Sequence, residues 1–327
     1  MKENSGYTGE RRHTPPKQTQ RFLLFLLVPI LAAVALPAMT QFGEAGQEDP
    51  LPHVLHVAFS SRVFPDVDPR DARIAMELWA KELSRKAGIP HARVTLFDSP
   101  DEIRAMVRRG DIHLVTLPPL DFLAWRRGLN IVPAYVAANK SGKEMEYLLV
   151  VRRDSGIAKV RDLKGKTLAL SEASRDQAGS LWLSVLFLRA GIRDVSAHLG
   201  RPPEANKPSQ AIMGVFFRRY HAAVVNRGSL ETCIAVNPQL GKDLVVLESS
   251  KSLVGEISCL PAAIGKKLRL AMDTAAGTLH ETTVGRQMTT LFHIDRVIPF
   301  NDSYLAGLEE LLRERDRLII GKYHVTP

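Results

Sequence analysis

Side chains capable of chemistry gather most densely in Ser171-Glu172-Ala173-Ser174-Arg175-Asp176-Gln177-Ala178-Gly179. Hydroxyls (Ser171, Ser174), a guanidinium (Arg175), a carboxylate (Asp176) and a glycine (Gly179) stand there ahead of the helical run Ser180–Ala190. A loop of this kind can hold an oxyanion through its hydroxyls and the unsatisfied N–H groups of the helix start. The carboxylate points elsewhere: it suits a cationic or amine-bearing group, or it caps the helix. A second set, Asn226 and Arg227, lies where a short buried strand meets a helix start, a position that faces ligands in open α/β sheets. Bond-making chemistry is not written in the chain. It has no Gly-x-Ser-x-Gly elbow, and Lys164-Gly165-Lys166-Thr167 lacks the leading glycine of a phosphate loop and precedes a strand. His53 and His56 sit at i, i+3 on opposite faces of a strand, and His221 and His280 are isolated, so no metal site is read from them. The expectation is a binding protein without catalysis, cofactor or metal.

The elements that must position these groups are βα units. Tyr147–Val151 is a β-branched and leucine-rich run of strand length, bounded by the turn residues Arg152 to Gly156. Lys166–Leu170 reads as a second strand, and the helix Ser180–Ala190 is closed by Gly191. Earlier, His53–Phe59 alternates as a strand and runs into Ser60-Ser61-Arg62. Asp71–Ala87 carries Ile74, Leu78, Trp79 and Leu83 on one helical face, ending at Gly88. Ser99-Pro100-Asp101-Glu102 opens another helix, and Ile112–Leu117 is a strand leading to Pro118-Pro119. Later, Ser209–Arg218 reads as a helix, Ala222–Val225 as a strand, and Leu244–Leu247 as a segment crossing back to the first half. The C-terminal part is mainly helical, with a charged face from Glu309 to Arg317.

The chain has 327 residues, 45% apolar and 24% charged, which suffices for two lobes of ordinary size. Its net charge of +9 is spread beside Asp and Glu, without zinc-finger spacing or an aromatic RNA-binding signature, and nucleic acid is not an expected partner. The two cysteines, Cys233 and Cys259, exclude a disulfide framework; they either pair or stay as two buried thiols. Residues 1–21 are polar and basic, and Phe22–Ala38 is an apolar run interrupted by Pro29. This reads as a secretory signal or an uncleaved membrane anchor with its N-terminus inside. Ala38-Met39-Thr40 and Gly43-Glu44-Ala45 offer small residues for cleavage, and residues 41–52 form a linker.

The segments Asp154-Ser155-Gly156-Ile157, Asp162-Leu163-Lys164-Gly165-Lys166-Thr167-Leu168-Ala169 and Leu188-Arg189-Ala190-Gly191-Ile192 resemble the periplasmic phosphate/phosphite/phosphonate-type substrate-binding proteins of ABC importers. The resemblance runs from about His56 to the end of the chain. It implies a two-lobed α/β fold of the type II periplasmic-binding-protein kind, each lobe a mixed sheet flanked by helices, with the ligand cleft between. On that scheme 53–145 is the first part of lobe one, 146–238 is lobe two, and 239–327 holds the hinge crossover and the rest of lobe one. The resemblance also implies a small polar solute as ligand, an ABC permease as partner, a monomer, and a place outside the cytoplasmic membrane. A membrane-anchored sensing module is the alternative role.

Site residues carry over with departures. In phosphonate-type members the loop before the long helix reads Ser-Thr-Ser-Gly; here Asp176-Gln177-Ala178-Gly179 occupies it, keeping only Gly179. A carboxylate beside a bound dianion costs on the order of several kcal/mol. Either Arg175, Arg62 or Arg227 neutralises Asp176, or the ligand is not a phosphonate; Ser171 and Ser174 can replace some of the lost hydroxyls. The segment Arg108 to Leu123 resembles one in which a strand ends in a ligand-facing loop, which points Thr116 inward. The family has Asp where His221 stands. Ser60, after the first strand, and Tyr147, at the start of the second-lobe strand, complete the candidate set.

Overall fold

The computed structural model describes residues 50–64, 68–138, 144–170, 177–200, 207–292 and 294–320. Among them the strands are β1 (Val54–Ser60), β2 (His91–Phe97), β3 (Leu114–Leu117), β4 (Ile131–Ala138), β5 (Glu144–Met145), β6 (Tyr147–Arg152), β7 (Leu168–Leu170), β8 (Ala222–Asn226), β9 (Leu244–Ser249), β10 (Leu253–Val254), β11 (Ile257–Pro261) and β12 (Arg296–Pro299). They form a six-stranded sheet in the order β12-β4-β11-β3-β1-β2, a four-stranded sheet β7-β8-β6-β9, and a ribbon β5-β10. Both sheets are mixed: β1 runs parallel to β2 and β3, and β11 antiparallel to β3 and β4. In the second sheet β7 is parallel to β8 and β6 antiparallel to β8 and β9. Both sheets belong to one structural unit.

The apolar run of β6 follows from helices covering both faces of its sheet. Alternation sends Tyr147, Leu149 and Val151 to one core with Trp182 and Phe187, and Leu148 and Val150 to another with Ile212 and Val215. The helix Gln177–Arg189 is apolar around most of its circumference because it is enclosed, with Trp182 and Phe187 fully buried. It starts three residues earlier than the spacing predicts and ends before Gly191, whose φ of 78° needs a residue without Cβ. In the first sheet the same alternation puts Leu55, Val57, Phe59 and Leu114 in one core, and Ala58, Val115 and Leu117 in the opposite one.

Three expectations are corrected. Leu244–Leu247 does not cross back to the first half; it lies in β9 and extends the second sheet beside β6, and the chain returns through β10, whose Leu253 pairs with Met145. The C-terminal helix Ala306–Ile320 does not simply complete lobe one. Leu308 and Leu311 join the core built around Trp182, and Arg189 clamps Glu314 with two bonds of 2.7 and 2.6 Å. The helix Pro69–Lys86 buries a shifted stripe: Ala72, Ala75, Met76, Ala80 and Leu83 face inward with Trp79 packed against the same core, as expected for Leu83 and Trp79, while Ile74 and Leu78 are exposed. Small residues let this helix lie close to its sheet, so its bulkier apolar residues do not set the rotation. Cys233 and Cys259 are free thiols. The segment Phe22–Ala38 lies outside the described residues; among those described, no helix is long and apolar enough to cross a membrane.

Candidate functional site

The register of the first sheet sets three polar side chains in a row. Ser258 on β11 lies opposite Thr116 on β3 and opposite Tyr135 on β4. Thr116 is buried, and its hydroxyl meets that of Ser258 at 2.8 Å. Tyr135 donates its Oη proton to Asp273 at 2.6 Å, and burial together with that carboxylate pushes the phenol pKa up. Glu256, in the chain between β10 and β11, accepts the N–H of Ala137 on β4 at 2.8 Å. Its carboxyl thus ties the returning crossover to the strand that leaves for the second lobe. Burial raises its pKa, partly opposed by the Ala137 bond.

The second lobe presents two helix starts. Asn226, the last residue of β8, caps the helix Arg227–Val236, its Oδ1 accepting the Ser229 N–H at 2.7 Å. Arg227 reaches across the end of the two inner strands β8 and β6 and grips Glu146 through Nε (2.5 Å) and Nη2 (2.8 Å), with Glu231 at 3.9 Å from Nη1. The guanidinium holds the Glu146 carboxyl below the usual carboxylate range, and the Arg227 pKa is raised in return. Beside it starts the helix Pro208–Phe216, with Lys207 at the cap and Ser209 in the first turn. Both helix starts, the Thr116–Ser258 pair and Glu256 border one cavity of about 1110 Å³. Its polar part combines cations (Lys207, Arg227, Arg286), carboxylates (Glu146, Glu231, Glu256, Asp295), hydroxyls and helix N–H groups. That set can bind and orient a polar head group.

Of the residues singled out from sequence, Thr116, Asn226 and Arg227 line this cavity together. Ser60 does not: it is buried at the end of β1 and accepts the Arg62 N–H at 3.4 Å. Arg62 is buried in an ion pair with Asp121, whose pKa burial raises and Arg62 lowers; its Nε has no hydrogen-bond partner among the described residues. Tyr147 is a core residue stacked on Trp182 at 6.4 Å, its N–H donating to Ser250 Oγ at 2.9 Å. Gly179 is buried in the first turn of its helix. Ser171, Ser174, Arg175 and Asp176 lie outside the described residues. His221 is not isolated: its Nδ1 contacts Thr167 Oγ1 at 2.8 Å and holds the edge of β7 against β8.

Sequence reasoning passed over Glu146, Lys207, Ser209, Glu256 and Ser258. Glu146 abuts the strongest strand signal in the chain, and its position just outside an apolar run was the available clue. Ser258 was legible only if Ile257–Pro261 had been read as a strand, where alternation pairs it with Leu260 on one face.

A family model described as the periplasmic substrate-binding protein of ABC phosphonate transporters matches residues 62–305. No curated protein matches the chain. Among solved structures, it is similar to the binding-protein component of an ABC phosphonate transporter from Pseudomonas aeruginosa. That similarity has 13% identity over 84% of this chain and 90% of that one, with a TM-score of 0.63. It is also similar to PhnD1 from Prochlorococcus marinus, solved with methylphosphonate, at 18% identity over 82% and 100% with a TM-score of 0.61. The periplasmic aliphatic sulphonate-binding protein SsuA from Escherichia coli shares 14% identity over 85% and 89%, with a TM-score of 0.51. At these identities the structural likeness establishes the fold.

Proposed function

The chain belongs to the family of periplasmic substrate-binding proteins of ABC phosphonate transporters, and from that membership we propose that it captures an organic phosphonate or sulfonate between its lobes and delivers it to a permease. Family membership places the binding unit outside the cytoplasm. In this reading Phe22–Ala38 directs export or tethers the protein, the ligand-loaded form docks on the permease as a monomer, and residues 53–145 with the C-terminal part move against 146–249 about the β5-β10 ribbon.

One observation carries the reading: hydroxyls of one sheet and two helix starts of the other face the same cavity. The helix N–H groups and Lys207 attract the oxyanion, while Thr116 and Ser258 donate hydroxyl bonds. Arg227 arrives already paired with Glu146 and flanked by Glu231. It therefore compensates one ligand charge better than two, and a monoanionic head is favoured over a dianion. Ser60, Arg62, Tyr147 and Gly179 then act from beneath the site, by holding the ends of β1 and β6 and the long helix.

A thermal-shift screen of the purified protein tests this, using methylphosphonate, aminoethylphosphonate, alkylsulfonates, phosphate, sulfate and simple amines. A ligand at one hundred times its Kd stabilises the fold by about 2.7 kcal/mol. Stabilisation by phosphonates or sulfonates supports the proposal; stabilisation by amines alone would remove it.

A further inference from the structure

One carboxyl on the cavity wall is placed unlike the others. Glu256 and Ser258 both line the cavity, while Ile257 between them turns into the opposite core. Alternation thus sets Glu256 on the same face as the Thr116–Ser258 hydroxyl pair, on the side where the chain returns from the second lobe. Its Oε1 is held by the Ala137 N–H at 2.8 Å. Its Oε2 has no hydrogen-bond partner among the described residues, yet it is not sealed from solvent, so it is open to the cavity that the residue lines.

Its charge is also uncompensated. Glu146 is gripped by Arg227, which has Glu231 nearby as well. The Arg286 guanidinium donates to the Glu281 carbonyl at 2.6 Å and to Thr283 Oγ1, and so stays at the start of its own helix. On β4 the Tyr135 phenol is tied to Asp273. Lys207, Cys233, His280 and Asp295 also border the cavity. None of these sets the state of Glu256: burial raises its pKa and the Ala137 N–H opposes that, with no charged side chain among the described residues contributing. An ionised Glu256 would therefore meet an anionic head as a like charge without an ion-pair partner, which disfavours binding. The neutral acid does the opposite, because it carries one O–H donor while Oε1 keeps accepting from Ala137.

We propose that Glu256 binds the ligand as a neutral acid: it takes one proton from solvent as the anionic head enters and donates it in a hydrogen bond from Oε2 to a head oxygen. The charges balance, since the protein gains one proton and the ligand brings one negative charge. Hydrogen bonds from O–H to an anionic oxygen are among the stronger ones. Capture is then proton-linked, and affinity falls as pH rises past the point at which the free protein loses that proton. The proposal rests on the oxyanion reading above and adds to it a named donor and a pH dependence.

Calorimetric titration of methanesulfonate into the full-length protein, across about pH 6 to pH 9, tests it, because a sulfonate has no proton of its own to give in that range. Bis-tris and Tris buffers add no competing oxyanion. The expected result is uptake of up to one proton per ligand, read from the difference in heat between the two buffers. Affinity should fall by up to about tenfold per pH unit once the free acid ionises. Glu256→Gln, whose amide keeps an acceptor and offers an N–H donor, should bind without proton uptake and lose the pH dependence. Glu256→Ala should bind more weakly than Glu256→Gln at every pH, with the unfolding temperatures of both checked in parallel. Binding to the parent that is independent of pH and takes up no proton would overturn the proposal while leaving the oxyanion reading intact. A pH dependence retained by Glu256→Gln would do the same. Binding of methylphosphonate where methanesulfonate does not bind would mean that Glu256 stays ionised and accepts the ligand's own proton, which also overturns the proposal. Absence of binding by both would overturn the oxyanion reading and the proposal with it.

Discussion

Arg227 and Glu146 are 81 positions apart, yet they form a two-bond ion pair that joins the start of a helix to the residue before β6. The pair sits at the rim of the cavity, where the returning helix and the outgoing strand come together. It fixes the Arg227 guanidinium in place and spends part of its charge on a protein carboxylate. Ligand recognition and local structure are therefore coupled through Glu146.

Changing either partner should move affinity in opposite directions. Arg227→Ala is expected to weaken an anionic ligand by about tenfold, roughly 1.4 kcal/mol. Because the pair is partly exposed, with Arg227 43% accessible, the stability loss should stay within about 1 kcal/mol. Glu146→Gln should tighten the same ligand by releasing Arg227. Calorimetric titration of the two variants checks the opposite signs.

The Thr116–Ser258 pair predicts non-additive behaviour. Thr116→Val removes the hydrogen-bond partner of the half-buried Ser258 hydroxyl and should cost about 0.5–1.5 kcal/mol of stability. Adding Ser258→Ala to that variant should restore part of the loss, since neither polar group is then left alone. Urea unfolding of the single and double variants measures the coupling.

Glu256 gives a pH prediction. Its pKa is raised in the folded protein by burial, so the folded chain holds that proton more tightly than the unfolded chain does. Stability from this group is present at acid pH and declines as pH rises from the ordinary carboxylate range through the raised value. Glu256→Gln keeps an acceptor for the Ala137 N–H but cannot ionise. It should be more stable than the parent at neutral pH and show a flatter stability–pH curve, read from unfolding temperatures across pH 4 to pH 8.

The Arg62–Asp121 pair is buried on both sides. Asp121→Ala leaves a guanidinium uncompensated and should destabilise by about 3–5 kcal/mol. Replacing both by Met and Leu should recover much of that loss. Chemical denaturation of the single and double variants distinguishes a structural pair from a dispensable one.

The thiols offer a simple check on packing. Burial raises the pKa of both; Cys259 is fully enclosed, while Cys233 is half-buried beside the cavity. An aromatic disulfide reagent should titrate one thiol in the native protein and two in denaturant, the native one slowly.

How much of this was legible in the chain depends on whether the relevant contact is local. Strand β6 announced itself because a strand covered on both faces is written as a continuous apolar run, and Gly88 and Gly191 marked helix ends through their positive φ. The stripe of the helix Pro69–Lys86 was misjudged because Ala72, Ala75 and Ala80 carry little hydrophobic weight yet decide how closely a helix can approach a sheet. Leu244–Leu247 reads from sequence as a segment crossing back, because its pairing with β6 depends on a partner almost a hundred residues away. The cavity was legible only in part for the same reason. Thr116 and Ser258 are 142 positions apart and meet through strand order alone, and nothing near Arg227 in sequence announces Glu146.

The most direct test of the account is calorimetric titration of methylphosphonate and an alkylsulfonate into the full-length protein and into Arg227→Ala side by side. Saturable binding to the parent, weakened about tenfold in the variant, is the predicted result. No binding of either oxyanion to the parent, or affinity unchanged in Arg227→Ala, would contradict it.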